Sequence, residues 1–219
     1  MHRLLFEKVG DGVFLSHLDL IRVFQRAFKR GGVMLKHSQG FAPKPYVAVA
    51  LALSVGVEST CEILDFELEN DVPVPADLAR RLNATLPLGI RVLEVYESQR
   101  KTKELTYLRS TLTLEYDGGV PAGAREAISE LLGREEVVVK KFSKKGETET
   151  NIAHMILEFT TTIKASQELE LSVLICAQNP TLNPALIASA VEFYLPQYRP
   201  DFTAIRRDEV LDAEGKTFR

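Results

Sequence analysis

The sequence predicts an α+β protein built from two tandem halves with antiparallel sheets. By hydrophobic periodicity the elements of residues 1–97 run β-α-β-β-α-β, and residues 106–219 repeat that order with one additional strand. This order is the ferredoxin-like pattern, in which two helices cover a four-stranded sheet. The charged segment 98–105 is interpreted as a linker between the halves. The alternative is a single α+β domain with a longer mixed sheet.

The first half opens with residues 2–9, whose alternating pattern predicts a strand, and continues with a predicted helix over residues 16–30. The apolar residues that recur on the predicted buried side of this helix are Leu18, Ile21, Phe24 and Phe28. Gly31 and Gly32 end the helix, because glycine tolerates the positive φ of helix C-termini. The other predicted elements are strands over 46–55 and 61–69, which form a hairpin, a helix from Pro75 and a strand over 91–96.

The second half shows the same alternation of strand and helix patterns. The predicted elements are strands over 107–116, 137–142, 153–162, 169–177 and 204–210, and helices over 122–132 and 183–194. A polar turn is expected between the strands 137–142 and 153–162. Asn183 is the expected N-cap of the last helix, and Pro184 its first residue.

Composition places the chain among ordinary globular proteins. Of its 219 residues 45% are hydrophobic and 26% charged, and no apolar run reaches the roughly 18 residues of a membrane span. The N-terminus lacks the apolar core of a secretory signal. We therefore expect a cytoplasmic protein that has no membrane partner.

Cysteine and histidine spacing gives no sign of a metal site. Cys61 and Cys176 are far apart within apolar segments, which is typical of buried free thiols in a reducing compartment. The sequence contains neither CxxC nor HExxH, so we expect neither a metal nor a cofactor in this chain.

Positive charge is concentrated between Ser16 and Pro45. Six lysines and arginines face the single acid Asp19, a balance of +5 in a chain whose formal charge is −3. This asymmetry indicates an anionic partner. Within the segment, Ser38–Pro45 reads as a recognition loop that Gly40 and two prolines stiffen.

The predicted helix presents Arg22, Arg26 and Lys29 at i, i+4 and i+7, so they form one stripe. The full set of candidate anion-binding or RNA-binding residues is Arg22, Arg26, Lys29, Lys36, His37, Ser38, Phe41 and Lys44. Arginine binds phosphate with two parallel hydrogen bonds, and an aromatic ring stacks on unpaired bases. Two readings stay open: the stripe is also compatible with a solvated helix face, and Phe41 with a buried anchor of the loop.

The start of the same helix carries a cap pattern and one candidate catalytic residue. Ser16 and Asp19 fit a capping box in which Asp replaces the usual Glu. His17 lies in the first turn, where the helix dipole disfavours the imidazolium form, so a neutral His17 is the candidate general base. A second basic cluster, Lys140, Lys141, Lys144 and Lys145, is interpreted as a solvated hairpin turn.

Several motifs resemble one bacterial family. They are Ser16-His-Leu-Asp19, Arg26-Ala27, Ser38-Gln-Gly-Phe41 with Pro43 and Pro45, Gly56-Val-Glu-Ser59, Lys144-Lys-Gly146, Asn151-Ile152 and Leu182-Asn-Pro-Ala185. Through them the chain resembles, over nearly its full length, the radical-SAM-linked (radical-SAM-associated) family of unknown function. Members are encoded beside, or fused to, cobalamin-binding radical SAM proteins, which implies a helper or substrate-presenting role. Asn151 stands where the family pattern leads us to expect Asp.

The combined prediction is a non-catalytic accessory or substrate-binding module that binds RNA and acts with a cobalamin-dependent radical SAM enzyme. The expected partners are that enzyme and RNA or a ribosomal component. One alternative is a metal-independent RNA-processing enzyme that uses His17. Another is a pure protein-interaction subunit of the radical SAM partner.

Overall fold

A computed structural model of the chain describes residues 1–39, 41–69, 73–143 and 146–219. The chain divides into two compact units: residues 1–102 with Arg219, the N-terminal unit, and residues 103–218, the C-terminal unit. Strands paired within either unit are antiparallel, and few helices accompany them. The predicted α+β class is therefore confirmed.

The N-terminal unit has the predicted element order. Its elements are β1 (His2–Lys8), α1 (His17–Arg30), β2 (Val47–Val49), β3 (Val57–Phe66), α2 (Leu78–Asn83) and β4 (Ile90–Glu97). Its strands lie in the order β4-β1-β3-β2. Compared with the prediction, β2 is shorter and β3 begins earlier. Helix α2 begins at Leu78 instead of Pro75, because residues 75–77 form a preceding turn in which the Leu78 N–H donates to the Pro75 carbonyl (3.0 Å).

The apolar face of α1 packs on this sheet with a different register from the predicted one. The buried residues of α1 are Leu20, Phe24, Ala27 and Phe28, at i, i+4, i+7 and i+8. The Phe24 ring meets Phe6 of β1 edge-on at 4.8 Å between centroids. Leu18 lies off this stripe and is 63% exposed, so its predicted place in the core is wrong, while Ile21 is half-buried.

A buried polar cluster ties the start of the N-terminal unit to its end. The Arg3 guanidinium donates to both carboxylate oxygens of Asp65 at 2.6 and 3.1 Å. It also donates to the Ser98 hydroxyl (3.1 Å) and the Arg100 carbonyl (3.0 Å). Arg3 is fully buried, so these bonds replace the water that the charges lose. Ser98 and Arg100 belong to the predicted linker 98–105, and no sequence pattern indicates this cluster.

The described residues of the C-terminal unit contain two strands beyond the β-α-β-β-α-β order, where the sequence predicted one. Its elements are β5 (Leu105–Glu115), α3 (Ala124–Leu132), β6 (Val138–Ser143), β7 (Gly146–Asn151), β8 (Ile156–Ala165), β9 (Glu168–Cys176), α4 (Ala185–Tyr194) and β10 (Phe202–Asp212). Four strands form a sheet in the order β10-β5-β9-β8, and β6 and β7 form a separate hairpin.

The missed strand is β7, whose sequence Gly-Glu-Thr-Glu-Thr-Asn has no apolar alternation. It was predicted as a polar turn, yet it pairs with β6 residue by residue, from Val138 opposite Asn151 to Ser143 opposite Gly146. In consequence the next strand begins at Ile156, because Ala153–Met155 forms a 3-10 turn.

Two asparagines at turns have structural roles in the C-terminal unit. The Asn151 side-chain oxygen accepts from the backbone N–H groups of Val137 (2.9 Å) and Ala153 (3.0 Å), while its amide donates to the Glu135 carbonyl (3.2 Å). An aspartate could not donate the last bond, which explains Asn at this position. Asn183 accepts from the Ala185 N–H (3.1 Å), although the helix itself begins one residue later than predicted, at Ala185.

Both units carry their longest insertion at the same topological position, between the first helix and the next strand of the sheet. In the N-terminal unit this is residues 31–46, between α1 and β2. In the C-terminal unit it is residues 133–155, between α3 and β8, and it contains the β6–β7 hairpin. Loops that a rigid scaffold positions are where binding residues concentrate, so these two insertions are the first places to look for function.

Candidate nucleic-acid interface

The N-terminal cap of α1 sets the direction of its basic face. The Ser16 hydroxyl accepts from the Asp19 backbone N–H (3.2 Å), as the cap pattern predicted, and donates to the Asp19 carboxylate (2.7 Å). The carboxylate thus reaches the Ser16 side chain. The Ser16 hydrogen bond, followed by that from Arg22, lowers the pKa of Asp19 below its usual value, so this carboxylate stays charged beside the basic stripe.

The three basic side chains of the stripe are exposed but not equivalent. The Arg22 guanidinium lies 3.0 Å from the Asp19 carboxylate, so part of its charge is offset. Within the described part of the chain, Arg26 and Lys29 form no ion pair. Arg26 and Lys29 are therefore the stripe's available cations.

The insertion after α1 is a narrow hairpin-like loop. His37 pairs with Pro45 in an antiparallel bridge, and the Tyr46 N–H donates to the Lys36 carbonyl (2.8 Å). One step further out, the Ser38 N–H donates to the Lys44 carbonyl (2.9 Å) and the Lys44 N–H donates to the Ser38 hydroxyl (3.1 Å). Ser38 therefore closes the loop beneath its tip.

A side chain of α1 is hydrogen-bonded to this loop. The Gln25 amide donates to the Pro45 carbonyl at 2.9 Å. A groove of about 180 Å³ lies between helix and loop, and Gln25, Lys29, His37 and Pro45 line it together with apolar residues. The structure thus brings Lys29 and His37, which are eight positions apart in sequence, to one groove.

Lys36 is paired with an acid, Glu67. The Lys36 ammonium group lies 2.8 Å from the Glu67 carboxylate, and the Lys36 backbone N–H donates to the Glu67 carbonyl (2.9 Å). The predicted balance of +5 includes Asp19 as the only local acid and omits Glu67, because the pairing of residues 35–36 with residues 67–68 is not visible in a linear reading. The surface is therefore less positive than the count of +5 indicates.

The loop tip exposes an aromatic ring. Phe41 has 112% of its reference surface exposed, so it is not a buried anchor of the loop. Lys44 is exposed and has no ion pair among the residues that the structure describes, and Tyr46 is partly exposed. Gly40 lies outside the described residues, as do Lys144 and Lys145. We call the eight residues Arg22, Arg26, Lys29, Lys36, His37, Ser38, Phe41 and Lys44 the basic loop surface.

His17 is the first residue of α1 and is half-buried. Its Nδ1 atom is buried and has no hydrogen-bond partner within the described residues. No group of three or more potential metal ligands exists among these residues. A general base is normally oriented by a hydrogen bond to its second ring nitrogen. Among the described residues, no side chain forms such a bond with Nδ1 of His17.

No described helix is long and apolar enough to cross a membrane. The two cysteines are free thiols; Cys61 is buried, as predicted, whereas Cys176 is only half-buried.

Comparison with solved structures finds likenesses of fold. A Cbf5-Nop10-Gar1 complex aligns with a TM-score of 0.55 and 11% identity, over 95% of this chain and 48% of that chain. An H/ACA RNP bound to a substrate RNA containing 2′-deoxyuridine aligns with a TM-score of 0.51 and 9% identity, over 95% and 47%. The chain therefore spans about half the length of these matched chains.

Comparison at the level of sequence finds a family but no individual relative. None of the curated proteins matches the chain. One family model, described as an uncharacterized protein conserved in bacteria (DUF2344), matches residues 2–184. This confirms the predicted membership of a bacterial family without a characterized function, whereas the link to radical SAM proteins stays a prediction.

Proposed function

The chain belongs to the DUF2344 family of bacterial proteins, and we propose that it binds single-stranded RNA through the basic loop surface. In this proposal it is a non-catalytic module that holds RNA for a partner enzyme. The observation that carries the proposal is the convergence of α1 and the loop on one groove that Lys29 and His37 line, where no described acid offsets the charge of Lys29.

The electrostatic part of the proposal rests on Arg26, Lys29 and Lys44. All three are exposed and lack ion pairs among the described residues, so they can meet phosphates without first giving up an acidic partner. Arg22 and Lys36 must share their charge with Asp19 and Glu67. We therefore expect the first three to dominate the phosphate contacts.

The aromatic part rests on Phe41. A fully exposed phenyl ring loses hydration on stacking against a base, and every base offers a π-face, so such a contact tolerates any sequence. The hydrogen bonds between Ser38 and Lys44 hold the loop below the ring, which limits the entropy lost on binding. Unpaired bases are accessible to a ring in this position, whereas stacked bases of a duplex are not.

The fold adds a weaker support. Ferredoxin-like sheets are used by single-strand RNA-binding modules, and the strand orders β4-β1-β3-β2 and β10-β5-β9-β8 are what two ferredoxin-like halves require. One of the similar solved structures is that of an RNA–protein complex with its substrate RNA. These likenesses concern the fold alone.

The decisive experiment is a salt titration of binding to a labelled, unstructured RNA. Each phosphate contact contributes about 0.7 to the slope of log K against log salt for a single strand. Replacing Arg26 and Lys29 by alanine should therefore lower the slope by about 1.4 and weaken binding. The matched control replaces Arg125 and Arg134 of the C-terminal unit, two exposed arginines, and should leave the slope unchanged.

Equal losses in the two double variants would show that only net charge matters, and the proposal would fail. It would also fail if wild-type binding did not depend on salt.

A second variant separates stacking from charge. Phe41→Ala should weaken binding by about 1–3 kcal/mol, because it removes one base–aromatic contact, and should keep the wild-type salt slope. Phe41→Tyr retains a ring and should bind nearly as well as wild type. An unchanged affinity in Phe41→Ala would remove the ring from the interface.

The same labelled RNA tests the alternative of RNA processing by His17. In the proposed function the RNA remains intact on long incubation with EDTA. Cleavage that is lost in His17→Ala would instead support an RNA-processing enzyme.

We further propose that the partner is a cobalamin-dependent radical SAM enzyme. That enzyme would supply the iron-sulfur cluster, for which the sequence of this chain shows no ligand motif. This step rests on the resemblance of motifs such as Ser16–Asp19 and Ser38–Phe41. Mixing the two purified proteins and following them by size-exclusion chromatography, with and without ribonuclease, tests it. A complex that survives ribonuclease supports direct contact, a complex that ribonuclease dissolves supports a shared RNA, and the absence of both contradicts the partnership.

A further inference from the structure

The C-terminal unit has a large groove that the proposed RNA-binding function does not use. This groove, the hairpin groove, lies between the β6–β7 hairpin and helix α4. Its volume is about 620 Å³. Its lining residues are Val138, Val139, Lys140, Lys141, Glu149, Asn183, Leu186, Ser189, Phe193 and Tyr194.

One wall is a face of α4 that its own unit leaves uncovered. Leu186, Ser189 and Phe193 are spaced i, i+3 and i+7, so they share one side of the helix. Phe193 is 71% exposed and meets the Tyr194 ring edge-on at 5.1 Å. Covering this ring together with Leu186 would remove apolar surface from water, which is favourable.

The other wall is the outer edge of β6. The Tyr194 hydroxyl accepts from the Val138 N–H (3.1 Å) and donates to the Val138 carbonyl (3.0 Å), so it takes the place of a neighbouring strand there. Residues of an antiparallel pair alternate between bonding their partner and facing away. The next residue that faces away from β7 is therefore Lys140, whose backbone has no partner outside the hairpin within the described part of the chain.

Charge fixes the chemistry of the occupant. The Lys140 ammonium group lies 2.7 Å from the Glu147 carboxylate, whereas Lys141 is exposed and forms no ion pair with any described residue. The lining also includes one acid, Glu149, which lies opposite Lys140, so its side chain is on the other face of the hairpin from that of Lys141. An acidic side chain on an incoming segment would pair with Lys141, and a basic one would be repelled.

We propose that the hairpin groove binds an extended, alternately apolar and acidic segment of a partner protein, which adds as a strand to the edge of β6. Its backbone bonds Lys140, its apolar side chains cover Phe193 and Leu186, and an acidic side chain pairs with Lys141. Strand addition of this kind obtains affinity from main-chain hydrogen bonds and specificity from alternate side chains. At about 3.4 Å per residue, the edge from Lys140 to Ser143 accommodates roughly four residues.

Short synthetic peptides test the proposal by fluorescence anisotropy with the full chain. A peptide of alternating valine and aspartate should bind about tenfold or more tightly than one of alternating valine and lysine, a difference that corresponds to one well-formed charge contact. Proline at alternate positions removes the N–H groups that a strand must donate and should abolish binding.

Variants locate the site. Phe193→Ala should weaken binding of the acidic peptide about tenfold, and because Phe193 is mostly exposed the fold should persist, as thermal unfolding will show. Lys141→Glu should invert the preference for the acidic over the basic peptide. Hydrogen exchange of the Lys140 amide should slow about tenfold in the complex, since that N–H gains a partner.

Three results would overturn the proposal. Binding that ignores peptide charge or proline excludes strand addition. A dimer in solution that Phe193→Ala turns into a monomer assigns the groove to a second copy of the chain. Loss of RNA binding in Phe193→Ala with no effect on peptide binding assigns it to nucleic acid.

Discussion

The two insertions after the first helix of each unit differ in how they meet their helix. In the N-terminal unit residues 31–46 form a loop that Gln25 holds through one hydrogen bond, and the groove between them is small and partly basic. In the C-terminal unit the β6–β7 hairpin is held by both hydrogen bonds of Tyr194, and the groove is several times larger and carries the exposed Phe193 ring. The same strand order thus carries two different surfaces, for one of which we propose phosphate binding and for the other the binding of an extended protein segment.

The cores differ as well. Both cores are mainly apolar, but the N-terminal unit also buries the Arg3–Asp65 ion pair, whereas Arg207 is the one buried charged side chain among the described residues of the C-terminal unit. When one member of a buried ion pair is removed, the other charge stays buried without a partner, so the loss of either side chain strongly lowers stability.

The largest expected effect therefore comes from Arg3→Met. It leaves the Asp65 carboxylate buried without its cation and should lower the free energy of unfolding of the N-terminal unit by about 3–5 kcal/mol. Urea denaturation combined with hydrogen exchange measures this, with β1 amides exchanging faster and β9 amides unchanged. The double variant Arg3→Met with Asp65→Leu should recover part of the loss, because no charge is then left unpaired.

The control for this experiment is Arg91→Met. The Arg91–Glu7 pair joins neighbouring strands of the same sheet, but its arginine is exposed, so its loss should change stability by about 1 kcal/mol or less. Similar losses in Arg3→Met and Arg91→Met would contradict the role given to the buried pair.

The second largest effect concerns the anchor of the hairpin. Tyr194→Phe removes both bonds to Val138 and should lower the free energy of local opening of β6–β7 by about 1–3 kcal/mol. Hydrogen exchange should accelerate in the hairpin and stay constant in β5 and β9. Tyr107→Phe is the matched control, since within the described residues the Tyr107 hydroxyl has no partner. Uniform acceleration throughout the unit would show that Tyr194 supports the whole core.

A smaller effect is expected for the anchor of the basic loop. Gln25→Leu removes one hydrogen bond to the Pro45 carbonyl and should destabilise the loop by about 0.5–1.5 kcal/mol. RNA affinity should fall while the salt slope keeps its wild-type value, because no charge is removed. Gln39→Leu makes the same change at an exposed position of the loop and should leave the affinity unaltered. A changed slope in Gln25→Leu would mean that the loop positions phosphate-binding cations more than it orders the ring.

The contrast between the insertions also shows what sequence could predict. Periodicity found the strands and helices of both sheets, since buried residues such as Phe24 and Leu112 repeat at the spacing of their element. It failed at β7, where Glu and Thr alternate without an apolar face, because this strand lies in a two-stranded hairpin and its side chains are mostly exposed. It also placed Leu18 in the core, because the seven apolar residues of α1 leave two stripes to choose between and only the packed sheet selects one.

The sequence could predict which residues are candidates for the site, but not which contacts these residues make with one another and with nearby acids. The charge pattern predicted Arg26, Lys29 and Lys44 as candidates, and all three side chains are exposed. The neutralising contact of Lys36 with Glu67, and the approach of His37 to Lys29, depend on contacts between residues distant in sequence. The hairpin groove could not be predicted for the same reason. An apolar residue such as Phe193 is typical of a core, and only the packing of α4 shows that it lines a groove.

The smallest expected effect at neutral pH distinguishes the C-terminal unit by its alkaline behaviour. The Tyr116 hydroxyl donates to the Tyr198 carbonyl (2.9 Å), and burial, with a smaller contribution from the Asp201 carboxylate, raises the pKa of Tyr116 from 10.0 to about 12. The folded unit holds this proton more tightly than the unfolded chain does. Its stabilising contribution is therefore complete below pH 10 and is lost as the pH rises from 10 towards about 12.

Tyr116→Phe removes both the hydrogen bond and the titrating group. We expect a loss of about 1 kcal/mol or less at pH 7, because the ring still fills its site and one neutral hydrogen bond contributes little net stability. Above pH 10 the variant should lose stability less steeply than wild type, so the two unfolding curves approach each other. Denaturation series at neutral and alkaline pH, followed by hydrogen exchange of β5, measure this. Parallel decline of both proteins would place the alkaline sensitivity in another group, and Tyr96, whose pKa burial raises in the N-terminal unit, would be the next to replace.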